Sequence, residues 1–228
     1  AGLPGEDLKS FKKSFNDVYS IRPEEIQLGF LKLLRGSSMR EEAHEYEMKY
    51  SPYPPYEILS TKDISYDELN LLKKVEHMVD KYYNSQKFDN IIKYFEPKFD
   101  TPFEMFYSLS RFFDEKGYFN RNIGNNEYYK VFLDFNSQII KEDNNILRDI
   151  IRYDYLNSNK RRGMPEFLVR KIDKEEEEKI KEKYRGEYSF RDYYVEKFCI
   201  NINKFIQSGE IDTYMLFGYE ENQVEIFI

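Results

Sequence analysis

The 228-residue sequence predicts an α+β protein that is predominantly helical. Three observations carry this. Apolar residues recur at helical spacing through most of the chain, local capping patterns open several of those stretches, and only the C-terminal end is rich in strand-forming residues.

Taken in order, Gly2-Leu3-Pro4-Gly5-Glu6-Asp7 is a turn, and Asp7 caps a helix through about Tyr19 whose Leu8, Phe11, Phe15 and Val18 share one side. Arg22-Pro23-Glu24 ends that helix. The apolar run 26–34 (IQLGFLKLL) then reads as a strand buried on both faces, as parallel strands commonly are. After the Arg35-Gly36-Ser37-Ser38 turn a helix is expected over residues 39–48, and Pro52, Pro54 and Pro55 make the next stretch extended.

Ser65-Tyr66-Asp67-Glu68 is a capping box that opens a long helix, with Leu69, Leu72, Val75, Val79, Tyr82 and Tyr83 on one face and His77 on the opposite, solvated one. Thr101-Pro102-Phe103-Glu104 is a second, with proline at the first helical position, and its helix ends near Gly117. Further helices are predicted at about 127–140 and 145–156. A polar break at 157–163 precedes a charged helix at 174–184, which Arg185-Gly186 stops. Residues 213–219 and 224–228 suggest a terminal β-hairpin.

One turn-helix-strand unit cannot complete a parallel sheet, so its missing strands are expected upstream or from another chain. The absence of an initiator methionine at Ala1 fits a processed chain or a piece of a longer one.

Charge and composition narrow the function classes. A formal charge of −7 and a pI near 5.2 make a nucleic-acid partner unlikely as an expectation. No window approaches the roughly 18 apolar residues of a membrane span. No secretory signal pattern opens the chain, and its single cysteine cannot form an internal disulfide, so a cytoplasmic setting is expected. An iron-sulfur cluster needs three or four thiolates and a structural zinc site four Cys or His ligands, whereas the chain holds only Cys199, His44 and His77. The 21 Tyr and 19 Phe read mostly as core.

Three segments carry a resemblance: Gly2-Leu3-Pro4-Gly5-Glu6-Asp7 with Ser10-Phe11, Leu28-Gly29-Phe30-Leu31-Lys32-Leu33-Leu34-Arg35-Gly36-Ser37, and Tyr53-Pro54-Pro55-Tyr56-Glu57. Together they resemble the C-terminal part of a radical SAM enzyme core, the partial α/β barrel that holds S-adenosylmethionine beside a [4Fe–4S] cluster. Taken whole, the chain is similar to the end of cobalamin-binding-domain radical SAM proteins with an uncharacterised appended domain, to which Arg152-Tyr153-Asp154-Tyr155-Leu156 would belong.

The resemblance implies two parts: residues 1–88, a remnant of the last α/β elements of the barrel and the following helix, and residues 89–228, an accessory domain. It implies Gly2 and Gly5 as cofactor-binding residues near the adenine of S-adenosylmethionine, and gives Gly36 and Ser37 no catalytic role. The family's C-x3-C-x2-C loop is absent here, so S-adenosylmethionine, the 4Fe-4S cluster and cobalamin are implied for the parent, with no cofactor held by this chain and no catalysis by it alone. The expected partners are the cluster-binding remainder of the parent and, through the truncated sheet, a second copy. The accessory domain is expected to cover the barrel and shape substrate access; recognition of RNA or protein, or a purely structural cap, are the alternatives.

Other motifs read as structure. The glycine turn also has a plain local reading, and with Glu6 and Asp7 in place of a P-loop ending it disfavours phosphate. Cys199, between Phe198 and Ile200, is expected to be buried. Glu175 to Glu178 are successive helix positions about 100° apart, favourable to a helix start and unable to converge on one ion. Lys160, Arg161 and Arg162 beside Tyr153 and Tyr155 are the one place where base stacking and phosphate contact could combine.

Overall fold

A computed structural model describes residues 1–159, 164–168, 172–187, 193–200, 210–218 and 223–226. Its elements are α1 (Leu8–Ser20), α2 (Ser38–Glu41), β1 (Lys49–Tyr50), β2 (Ile58–Ser60), α3 (Tyr66–Met78), α4 (Asp89–Phe95), α5 (Pro102–Glu115), α6 (Asn125–Phe135), α7 (Asn145–Ser158), α8 (Lys174–Lys183), β3 (Tyr193–Ile200), β4 (Glu210–Gly218) and β5 (Gln223–Ile226). The protein is α+β and predominantly helical, with a small terminal sheet. It forms two compact units, one of residues 1–85 and 99–117, the other of residues 86–98 and 118–228.

In the first unit Asp7 caps α1 by accepting the Ser10 N–H (2.7 Å), and Phe11, Phe15 and Tyr19 turn inward. Phe15 meets Phe103 and Phe106 of α5 edge-on, at 5.6 and 6.1 Å between ring centres, a geometry favoured by the ring quadrupoles. Asn16 accepts the Phe103 N–H (2.9 Å), one of the donors that a helix start leaves without an internal acceptor. The capping box of α3 is complete: Ser65 accepts from the Glu68 N–H, and the Glu68 carboxylate accepts the Ser65 N–H. A wider π-type turn over Val79–Asn84 extends α3 and buries Val79 and Tyr82.

Residues 26–34 are not the two-sided strand that the apolar run predicts. Ile26 and Leu33 are buried, whereas Gln27, Gly29, Lys32 and Leu34 are exposed. The run has a single antiparallel bridge, Lys32 to Glu57, flanked by bonds from Leu33 N–H to the Tyr56 carbonyl and from Ile58 N–H to the Leu31 carbonyl (both 2.9 Å). Its start is held by a side chain, since Asn84 accepts from the Ile26 N–H and donates to the Ile26 carbonyl. A neighbouring amide thus satisfies backbone groups that a second strand would otherwise take. The helix expected over 39–48 is also shorter: α2 passes into one 3₁₀ turn, Glu42–His44, and Glu47 adopts a left-handed φ of 51° before β1.

In the second unit, α4, α6 and α7 share an aromatic core. Phe88 lies 4.5 Å from Tyr129, Phe95 5.5 Å from Phe132 and from Phe135, and Tyr155 5.2 Å from Tyr129, all between ring centres. The tail is a three-stranded antiparallel sheet in the order β3-β4-β5, so the predicted hairpin of β4 and β5 gains a third strand. The β3–β4 register shifts between Phe198 and Ile200.

Candidate functional site

The glycine turn is built from local backbone demands. Glu6 N–H donates to the Leu3 carbonyl (3.1 Å), Pro4 sets the second position, and Gly5 takes φ 76° at the third, the combination that a type II turn requires. The Gly5 N–H donates to Asp63 (2.8 Å). Gly2, at φ 89°, lies against Ile58 so closely that a Cβ there would stand 2.8 Å from Ile58 Cγ2. A Cβ on Gly5 would meet nothing within 4 Å. The turn therefore has one face filled by the protein and one open.

Ala1 precedes the turn and α1 follows it. The Ala1 nitrogen donates to the Gly29 carbonyl, and the Leu31 N–H donates to the Ala1 carbonyl (2.9 Å). Two bonds from one residue to positions on either side of Phe30 are the pattern of a parallel ladder. Ala1, the turn, α1 and the return of residues 29–31 beside Ala1 thus occur in sequence, and the other side of the run bridges Glu57 antiparallel.

The other sequence candidates disperse. His44 and His77 are exposed on separate elements. Glu175 pairs with Lys179, Glu176 with Lys197, and Glu177 and Glu178 with Lys181, so the acidic run is a salt-bridged start to α8 below its Asp173 cap. Cys199 is exposed, a correction to the buried thiol expected from its apolar neighbours: Phe198 and Ile200 are the inward positions and the residue between them points out. Tyr155 is buried beside Tyr129, and half-buried Tyr153 lies 6.1 Å from both Phe198 and Phe217 in edge-type contacts, so both rings are packed within the second unit. Lys160, Arg161 and Arg162 lie outside the described residues. Among the described residues no group of three His, Cys, Asp or Glu could hold a metal ion.

Sequence reasoning missed a buried ionic centre in the second unit. Asp149 and Arg152, one helical turn apart on α7, are each only 1% exposed and 3.2 Å apart. Asp149 accepts the Cys199 N–H (2.6 Å), and Arg152 donates to the Lys197 carbonyl with its guanidinium 4.5 Å from the Phe198 ring centre. The pair thus grips β3 on both sides of Phe198. Asp149 takes the Cys199 N–H at the point where the β3–β4 register shifts between Phe198 and Ile200. Removing one member of so buried a pair generally costs about 3–5 kcal/mol. The only signal in the sequence is the i, i+3 spacing of Asp149 and Arg152, which is common on exposed helices.

Two residues beyond Arg152 on α7, Asp154 reaches α4, accepting from Asn90 Nδ2 (2.7 Å) and from the Ile91 N–H (2.9 Å). Burial pushes its pKa up to about 7, against those hydrogen bonds, with Asp89 adding repulsion. Nearby, burial also pushes the Tyr129 phenol up to about 12. In the first unit a polar cleft of about 390 Å³ lies between α3 and α5, with Lys74 donating across it to Asp114 (2.6 Å).

The fold and these sites define a helical α+β protein with a glycine turn at its first helix and an ion-locked helix on a terminal sheet. The family described as "Protein of unknown function (DUF4080)" matches residues 44–219, well over half of the chain. The chain belongs to that family. No curated protein matches it.

Proposed function

We propose that this chain is the C-terminal portion of a radical SAM iron-sulfur enzyme, in which the last barrel elements lead into an accessory part that covers the barrel and shapes substrate access. The observation that carries the reading is the parallel return of residues 29–31 beside Ala1 after the glycine turn and α1, the order of elements expected at the end of an α/β barrel. The G-x-P-G-E-D residues of that turn support it by resemblance.

The residues fit the implied groups unequally. At S-adenosylmethionine, Gly5 offers an open approach, while the space over Gly2 is filled by Ile58. Gly5 is therefore the better supported contact, and Gly2 acts by letting the turn close onto β2. S-adenosylmethionine, where bound, would supply a 5′-deoxyadenosyl radical. The cluster that cleaves it does not fit this chain, whose only thiol is Cys199. Cluster and cobalamin belong to the remainder of the parent, which is the partner this reading names, and the setting it implies is cytoplasmic. No described helix is long and apolar enough to cross a membrane.

Self-association through residues 26–34 has less support, because the run exposes Gln27, Lys32 and Leu34 rather than a continuous apolar face. RNA recognition has less too, since Tyr153 and Tyr155 are packed within their own unit. The test is the reading frame upstream of Ala1, followed by anaerobic assay of its full-length product for 5′-deoxyadenosine from S-adenosylmethionine. A C-x3-C-x2-C loop and nucleoside release are expected. A frame that lacks the loop overturns the proposal.

A further inference from the structure

We infer that Arg35 and Arg40 form an oxyanion site on the first unit that takes a phosphate group. Both guanidiniums gather on one ring, Arg35 at 5.5 Å and Arg40 at 4.9 Å from the centre of Tyr56. Arg40 also stands 5.1 Å from the centre of Tyr50 and donates to the Leu33 carbonyl (3.1 Å). Among the described residues neither has an ion pair, as Arg148 on a backbone carbonyl has none, whereas Arg111, Arg121 and Arg152 are matched by Glu115, Glu127 and Asp149. Glu57, beside Tyr56 in the chain, is engaged by Lys73, and Glu41 and Glu42 after Arg40 are exposed and form no ion pair with it.

Stacking does not consume the donors of a guanidinium. Its N–H groups lie in the plane of the fork, so an arginine held over a ring keeps them available, in the geometry that matches phosphate oxygens. The platform is itself fixed. Tyr56 takes a left-handed φ of 59°, which a non-glycine residue adopts only when its surroundings hold it, and it is held by its N–H donating to the Tyr53 carbonyl (2.8 Å) and its carbonyl accepting from Leu33. Two positive charges suit the dianion of a phosphate better than a single carboxylate. Leu34, 56% exposed and next to Arg35 in the chain, and Tyr53, 75% exposed with its carbonyl accepting from the Tyr56 N–H, leave apolar surface for the organic part of a phosphate ester.

The test is calorimetric titration of the protein with inorganic phosphate and, separately, with acetate, at matched low ionic strength. Phosphate is expected to bind, and Arg35→Ala and Arg40→Ala each to weaken it by about tenfold or more, with Arg40→Lys also weaker because it keeps the charge but not the fork. Arg111→Ala, which removes an arginine already paired with Glu115, is expected to change nothing. Arg35 is exposed, so its variant tests the site without endangering the fold. Absence of phosphate binding, undiminished binding in Arg35→Ala, an equal loss in Arg111→Ala, or acetate binding as tightly as phosphate would each overturn the assignment.

Discussion

Replacing Asp154 by Asn should remove a pH dependence from the second unit. The carboxyl is buried, caps α4 from α7, and has its pKa raised from 3.8 to about 7, burial outweighing the donors of Asn90 and Ile91. A folded-state pKa above the unfolded one means that the folded form binds the proton more tightly. The stability this contributes is full below about pH 4 and is lost as pH rises through about 7. The raised value corresponds to a ceiling of about 4 kcal/mol for the whole window, at 1.36 kcal/mol per unit, of which about 3 kcal/mol lies between pH 5 and pH 8. Asn keeps a carbonyl for the Ile91 N–H, and the Asn90 amide can turn to accept from the new NH₂, so the substitution retains the cap without the charge. Urea unfolding at pH 5 and pH 8, with hydrogen exchange of the α4 amides corrected for intrinsic rate, provides the measurement. Wild type should lose stability relative to Asp154→Asn by up to about 3 kcal/mol between the two pH values, and the variant should equal or exceed it at pH 8. A difference between the two proteins that is the same at both pH values would refute the reasoning.

Two further outcomes are expected. Gly5→Ala should destabilise by about 1 kcal/mol, for its positive φ alone, whereas Gly2→Ala should cost about 2–4 kcal/mol because its Cβ also strikes buried Ile58; equal losses in urea titrations would show that the contact with Ile58 is not limiting. The Cys199 thiol should react fully with an aromatic disulfide reagent in the folded protein, since it faces outward on β3, and a thiol that reacts only in denaturant would place it inside.

What the sequence discloses here depends on where each element's partners lie. α1, α3 and α5 carry their own N-caps in Asp7, Ser65 and Thr101, and all three are legible. α4 has Phe88 at its cap position and draws its acceptor from Asp154, far along the chain, so no local pattern announces it. β3 is equally hidden, because Glu196 occupies a buried position on the same side as Phe198 and Ile200, where the pattern calls for an apolar residue. The run 26–34 misleads in the other direction: its composition is that of a central strand, but Asn84, Ala1 and one antiparallel bridge to Glu57 satisfy it as an irregular segment. Of the sites, the glycine turn is readable because a turn is local. The Asp149–Arg152 clasp and the pairing of Arg35 and Arg40 on Tyr56 arise only after distant segments meet.

Between the two units the backbone passes over at 85/86, returns at 98/99 and leaves again at 117/118. Neither unit is therefore a module that a gene could donate or a protease could release with one cut. A stop codon after residue 85 would delete α5, stripping Phe15 of Phe103 and Phe106, and a start after residue 98 would delete α4, taking Phe95 from Phe132 and Phe135. The family match crosses these borders too, beginning at residue 44, inside the first unit, and running on through the second to residue 219.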